Sequence, residues 1–155
     1  MSAPKRNEAR KIVATNRRAR HDFEIFDVYE AGMVLLGSEV KSLRSSNVQL
    51  RDSFGVIRDG EAFLIGMHIA PYAFSGNGGH MPERQRKLLL HQREITKIAT
   101  AVHEQGLTIV PMSLYFSGGR AKLEIGIGRG KKRFDKRQAL KAKDQAKEMR
   151  YRGRD

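Results

Sequence analysis

Phe54-Gly55-Val56-Ile57-Arg58-Asp59-Gly60-Glu61-Ala62-Phe63-Leu64-Ile65 decides how the chain folds. Asp59-Gly60 is the strongest turn signal in the sequence and fits a two-residue type I′ loop, in which both central residues need positive φ. Centring a hairpin there sets Arg58 opposite Glu61, a favourable charge pair. It also sets Val56 opposite Phe63 and Phe54 opposite Ile65 on one face. Turn chemistry and apolar pattern agree, which is what a specified hairpin requires.

A second hairpin turns at Gly118-Gly119. Its register pairs Phe116 with Ala121, Leu114 with Leu123 and Met112 with Ile125 as a core face. Tyr115 then faces Lys122, and Ser113 faces Glu124, on the outer side. Pro111 cannot donate to a ladder and belongs at an edge or a bulge. Upstream, Phe23 to Tyr29 reads as a strand, Glu30-Ala31-Gly32 as a break, and Met33 to Leu36 as a second strand. Ser38 can cap a short helix through Arg44. Pro71 to Pro82, with Gly76-Asn77-Gly78-Gly79, is a loop. His91 to Gln105 is a helix, because Ile95, Ile98, Ala99 and Val102 recur at 3.6 spacing and Gly106 stops it. The expectation is a mainly β protein of about six strands with two to three peripheral helices: a small closed antiparallel barrel of the oligonucleotide-binding type, or a mixed α+β sandwich.

Charge divides the 155 residues differently. The net charge is +13, yet residues 23–128 hold eleven Lys/Arg and eleven Asp/Glu. Residues 1–22 hold seven cations against two acids, and 129–155 hold twelve against four. We therefore expect a basic arm (1–22), an RNA-binding barrel (23–128) and a basic C-terminal tail (129–155). The tail's good helix formers lack a broad apolar stripe, so it should be disordered alone and helical against a polyanion. Such ends bind nucleic acid; the plainer alternative is a pair of solvated extensions. No run suits a membrane span or a secretory signal, and there are no cysteines. The composition fits the cytosol.

No catalytic constellation emerges, and neither a cofactor nor a metal site is expected. His21, His68, His80, His91 and His103 show no i, i+4 pairing for a metal. Ser38-Glu39-Val40-Lys41 matches a bare Ser-x-x-Lys pattern without its companions. Gly126-Ile127-Gly128-Arg129-Gly130 opens no helix in a βαβ unit and reads as hinge. A nuclease would need Glu30, Glu39 and Asp52 to converge on a metal.

Features suited to RNA are more numerous. Tyr115 beside Lys122 offers an aromatic plane next to a cation, as base stacking beside a phosphate needs; it is equally an ordinary cross-strand pair. Arg84-Gln85-Arg86-Lys87 could hold a phosphate backbone or form the solvated rim of a helix start. Arg17, Arg18 and Arg20 make a similar cluster.

The ordered blocks Asn16-Arg17-Arg18-Ala19-Arg20-His21, Glu30-Ala31-Gly32, Gly37-Ser38-Glu39-Val40-Lys41-Ser42-Leu43-Arg44, Asp52-Ser53-Phe54, Asp59-Gly60-Glu61-Ala62, Pro71-Tyr72, Arg86-Lys87-Leu88-Leu89-Leu90 and Gly130-Lys131-Lys132-Arg133-Phe134-Asp135-Lys136-Arg137 resemble the small protein B family of SsrA-binding proteins. The resemblance runs from about residue 16 to residue 137. It implies a barrel of the oligonucleotide-binding type that binds the tRNA-like domain of transfer-messenger RNA (tmRNA) and replaces the missing anticodon arm. It implies a tail that occupies the decoding centre, chiefly small-subunit RNA, and the empty messenger channel of a stalled ribosome. Alanyl-tmRNA would arrive with elongation factor Tu and GTP, whose chemistry belongs to those partners, and the protein would act as a monomer on RNA. By motif, Asn16, Glu30, Leu89 and Lys122 match the RNA-contacting face. Gly130, Lys131, Lys132, Phe134, Asp135, Lys136 and Arg137 match the tail segment at the decoding centre. Some members carry histidine where Phe134 stands; phenylalanine can stack but neither titrates nor donates. Glu30 repels phosphate, so it should accept hydrogen bonds from base edges or 2′-hydroxyls. The competing expectation is a general ribosome-associated or structured-RNA-binding protein held by charge alone.

Overall fold

A computed structural model describes residues 10–71 and 80–131. The described chain is mainly β. Its elements are β1 (Lys11–Thr15), α1 (Ala19–Asp22), β2 (Phe23–Met33), α2 (Gly37–Arg44), β3 (Val48–Gln49), β4 (Phe54–Arg58), β5 (Glu61–Ile65), β6 (His68–Ile69), β7 (Arg86–Leu89), α3 (Gln92–Gln105), β8 (Thr108–Ser117) and β9 (Arg120–Gly130).

The deciding hairpin forms as its turn dictates. Asp59 (φ 52°) and Gly60 (φ 73°) both take positive φ, and the ladder pairs Arg58 with Glu61, Val56 with Phe63 and Phe54 with Ile65. The buried side chains of β4 and β5 are on the opposite face, with Ala62 and Leu64 almost fully enclosed. The bulkier face, with Phe54 at 45% exposure, looks outward. From this hairpin the sheet extends in the order β1-β8-β4-β5-β7-β2-β9, and β9 also pairs with β8. The hydrogen-bonded path therefore returns to β8. A small ladder, β3–β6, stands apart from it.

One apolar cluster, including Leu43, Leu64, Leu88, Leu114, Leu123 and Ile125, fills the space between the strands and the helices. Each such side chain contributes about 1.5–3 kcal/mol on burial. α3 closes on this cluster through Ile98, and Gly106 ends it in the left-handed region. A satellite cluster of Ala19, Val110 and Met112, with Phe23 and Ile25 against it, seats α1 on the sheet.

Five local expectations change. Residues 11–15, expected within a basic arm, are strand β1, which extends the sheet at β8; Val13 and Ala14 pack against the core. β2 continues through Glu30-Ala31-Gly32, because those residues pair in register with Glu124, Leu123 and Lys122. It stops at Met33, so no separate strand runs to Leu36. Met112 does not pair with Ile125. A bulge between Pro111 and Ser113 gives Ile125 to Pro111 and sends Met112 to the satellite cluster; Pro111 thus lies at the bulge its missing N–H requires.

Fourth, Ser38 does not cap α2. The Leu36 backbone N–H donates to Glu39 Oε1 at 2.8 Å, while Ser38 Oγ lies 2.9 Å from His80 Nδ1. His80 Nε2 faces the Ile69 carbonyl at 2.9 Å. A carbonyl only accepts, so Nε2 is the donor to Ile69; in the neutral tautomer that this fixes, the serine hydroxyl donates to Nδ1. Gly126 and Gly128 are strand residues rather than a hinge. A Cβ at Gly128 would overlap the Glu24 carbonyl oxygen where β2 bulges toward β9.

Candidate nucleic-acid interface

Antiparallel register places directly opposed residues on one face. Leu89 is opposite Gly32, Gly32 opposite Lys122, Lys122 opposite Tyr115, and Tyr115 opposite Ile12. This row crosses five strands on the outer side of the sheet. Beside it runs Glu30, Glu124 and Ser113. Glu30, Leu89 and Lys122 line one open groove of about 570 Å³, together with Arg120, His91 and Glu94. Leu89 is 52% exposed there, an apolar side chain that burial on a partner would reward.

Tyr115 is on the outer face, as its pairing with Lys122 requires, but it is 1% exposed. Arg10 covers it, with the guanidinium carbon 4.6 Å from the ring centroid. The Tyr115 hydroxyl donates to Glu30 Oε2. Arg10 also reaches both acids, at 3.7 Å to Glu30 and 3.7 Å to Glu124. Burial first, then the hydrogen bond and charge of Glu30, push the Tyr115 hydroxyl well above the usual phenol range. Tyr115 is therefore a closed structural pair and not an open stacking plane. The cause is β1: its pairing with β8 carries Arg10 over the ring.

Arg86 is likewise not available to phosphate. Its side chain is 0% exposed. Nε donates to Glu39 Oε2 at 2.7 Å, and the two terminal nitrogens donate to the carbonyls of Met67 and Pro82. Arg84 donates to the other Glu39 oxygen at 2.6 Å. Burial by itself would raise the Glu39 carboxyl, but the hydrogen bonds from Arg84, the Leu36 amide and Arg86 hold it below the usual range. Burial pulls Arg86 down, partly offset by Glu39. The run from Arg84 to Lys87 is thus neither a phosphate clamp nor a helix rim. Its second half is strand β7, with an inward arginine. Lys87 points outward, its Nζ 3.1 Å from Glu61.

Asn16 is outside the groove. Its amide donates to the Pro111 carbonyl at 3.0 Å, and its backbone N–H donates to Met112, which fixes the start of α1 to the bulge. Arg17, Arg18 and Arg20 are exposed there, with Arg18 3.7 Å from Asp22. Gly130 ends β9 opposite Phe23, and Lys131 is exposed just beyond it. Lys132, Phe134, Asp135, Lys136 and Arg137 lie outside the described residues, as does most of the loop from Pro71 to Pro82. Glu30, Glu39 and Asp52 do not converge, since Tyr115 and Arg10 engage Glu30 while Arg84 and Arg86 engage Glu39. Among the described residues no group of three or more His, Cys, Asp or Glu is placed to hold a metal, and no helix is long and apolar enough to cross a membrane.

Sequence reasoning missed Arg10, Glu124 and the Glu39–Arg86 pair. A signal for Arg10 was present: Ile12-Val13-Ala14 is an apolar triplet within a basic segment, as a strand edge would be.

Among the described residues this geometry defines a class: a small mainly β protein with three helices, a seven-stranded sheet and a grooved outer face bearing both charges. The family model for the SmpB protein matches residues 13–154. An SsrA-binding protein of Solidesulfovibrio magneticus is 54% identical over 86% of this chain and 87% of its own length. One from a Sulfurihydrogenibium species is 53% identical over 90% and 91%. A solved chain, described as tmRNA-SmpB on a journey to the centre of the bacterial ribosome, is 47% identical with a TM-score of 0.64, over 76% of this chain and 83% of that one. The chain belongs to the SmpB family of SsrA-binding proteins.

Proposed function

We propose that this protein is the tmRNA-binding adaptor of trans-translation, the process that rescues stalled ribosomes. The groove where Glu30, Leu89 and Lys122 meet is the observation that carries the reading. Close relatives named as SsrA-binding proteins and a tmRNA-SmpB ribosome structure support it.

The returning path β8-β4-β5-β7-β2-β9 is a closed barrel of the oligonucleotide-binding type, whose outer face receives the tRNA-like domain of tmRNA and substitutes for an anticodon arm. Lys122 supplies a phosphate contact, Leu89 an apolar one, and Glu30 accepts from a base edge or a 2′-hydroxyl. Asn16, Arg17, Arg18 and Arg20, outside the groove, add to the RNA-binding surface, and Lys87 lies behind Leu89. Gly130 and Lys131 begin the tail, which carries Lys132, Phe134, Asp135, Lys136 and Arg137 to the decoding centre and the empty messenger channel. The protein makes or breaks no bond. Elongation factor Tu with GTP, alanyl-tmRNA and the ribosome supply the chemistry, and the adaptor acts in the cytoplasm as a monomer on RNA.

Competition between tmRNA and bulk transfer RNA at physiological salt tests this reading. Preference for tmRNA upholds it. Equal binding that collapses with salt, at a log–log slope of about −0.7 to −0.9 per phosphate, overturns it in favour of charge-driven RNA binding. The tail is tested by truncation after Lys131, because Arg129 and Gly130 pair with β2. That chain should bind tmRNA and fail to support tagging.

A further inference from the structure

β2 does not run evenly past β9. Ile25 pairs with Gly128 and Asp27 with Ile127, so Phe26 is the extra residue of a bulge with no residue opposite it. Bulges re-aim side chains, and families keep them for that purpose. Here the bulge turns a phenylalanine outward: Phe26 is 53% exposed, and Val28 two residues on is 41% exposed. The guanidinium carbon of Arg129 stands 6.0 Å from the Phe26 ring centroid, at the outer reach of a cation–π contact, which leaves more than half of the residue in water.

The surroundings are cationic. Phe23 faces Gly130 and Glu24 faces Arg129 across the ladder, so the start of β2 and the end of β9 share one edge of the molecule. Exposed Arg17, Arg18 and Arg20 come just before β2, and exposed Arg129 and Lys131 close β9. Asp22 and Asp27 are already engaged. Asp22 pairs with Arg18 and His21. Asp27 accepts from the Tyr29 hydroxyl and the Val28 amide, and Glu24 is directly opposite Arg129. One aromatic and one valine make too small a patch for a protein interface. A flat ring beside a guanidinium, set in an excess of positive charge, matches one base and one phosphate.

We infer that Phe26 and Arg129 form a second RNA contact, separate from the groove, in which an unpaired base of ribosomal small-subunit RNA stacks on Phe26 while Arg129 holds its phosphate. Ribosomal RNA is the source because Arg129 stands at the end of β9, next in sequence to the tail assigned above to the ribosome. The inference rests on the adaptor reading.

The test compares the full-length protein with Phe26→Ala and Phe26→Tyr on three targets: empty small subunits, protein-free small-subunit RNA, and the tRNA-like domain of tmRNA. Loss of one base stack weakens binding by about tenfold or more. Phe26→Ala should show that loss on both small-subunit targets and none on the tmRNA domain. Phe26→Tyr should restore it, with the thermal melt of each variant unchanged because the side chain is exposed. Unchanged binding of Phe26→Ala to small subunits overturns the inference and leaves the adaptor reading intact. A loss on the tmRNA domain moves the base to the other RNA and also overturns it. A loss on intact subunits but not on protein-free RNA assigns the face to a ribosomal protein and overturns it as well. A wild-type chain that binds none of the three overturns the adaptor reading and this one together.

Discussion

Replacing Arg86 should destabilise the fold rather than weaken its grip on RNA. Arg86→Met keeps most of the aliphatic length and removes the charge. In the wild type the guanidinium is fully enclosed and bonded to Glu39, Met67 and Pro82. Its loss takes the guanidinium donor from the Met67 carbonyl, at about 1–3 kcal/mol, while the Pro82 carbonyl keeps the Ile69 amide; Glu39 is left with Arg84 and the Leu36 amide. Breaking a buried pair from one side costs about 3–5 kcal/mol. These costs overlap, since they describe the same group, so about 3–5 kcal/mol is the expected total. A domain of this size holds about 5–15 kcal/mol of stability, so Arg86→Met should lose from about a fifth to nearly all of it in urea unfolding. RNA affinity, measured where the variant is still folded, should stay near wild type. A variant that melts normally yet binds tmRNA tenfold more weakly would refute the reasoning and return Arg86 to the RNA face. The pH dependence has a fixed sign. Glu39 is held below its ordinary value of 4.5, so its contribution is complete above that pH and fades as pH falls through the folded-state value. The stability gap between wild type and Glu39→Gln should therefore be widest near neutrality and narrow in acid.

Gly128→Ala should destabilise by about 1–3 kcal/mol, because the new methyl meets the Glu24 carbonyl rather than a yielding side chain; the urea midpoint reports it. Tyr115→Phe removes the donor to Glu30 and should cost about 1–3 kcal/mol, the range for bonds to charged groups, without loss of the Arg10 stacking. Raised tyrosine values, including Tyr29 pushed to about 12 by burial and then by Asp27, contribute stability that is complete below pH 10 and is lost as pH rises through the folded value. The alkaline limb of the wild-type stability curve should accordingly fall less steeply in Tyr115→Phe. Lys122→Ala should weaken tmRNA binding and lower the salt slope by about 0.7–0.9, with the melting temperature unchanged.

What the sequence disclosed followed the range of each interaction. Turn residues at Asp59-Gly60 and Gly118-Gly119 act over two positions, so both hairpins and most of their registers were legible, as was the glycine that ends α3. The Met112 register failed because Pro111 announces a bulge without saying which residue is extruded. Long-range pairing was opaque. Nothing local in Lys11–Thr15 says that this strand reaches across a hundred residues to β8, and without that the burial of Tyr115 cannot be foreseen. Arg86 shows the same limit. In a run of cations it looks solvated, and only the approach of α2 with Glu39 turns it inward. The groove was partly visible, because Glu30, Leu89 and Lys122 were picked out by motif, but their juxtaposition belongs to the register of β7, β2 and β9.

That register also explains how an acidic pair can sit on a face proposed to receive a polyanion. Glu30 and Glu124 are direct cross-strand neighbours, an arrangement that destabilises a sheet when the charges are alike and repels phosphate. Three features offset it. Arg10 stands between the two carboxylates, Tyr115 donates to Glu30, and Lys122 lies between Gly32 and Tyr115 in the adjacent row of the same face. With Arg10 and Lys122 the cluster carries as many cations as acids. An approaching RNA therefore meets no net repulsion, while the carboxylates stay able to accept hydrogen bonds, which phosphate cannot donate and a 2′-hydroxyl can. In the proposed adaptor, discrimination comes from the acids and attraction from the basic ends. The neutral centre of the sequence is what that separation of tasks requires: a uniformly basic sheet would bind any nucleic acid and discriminate poorly.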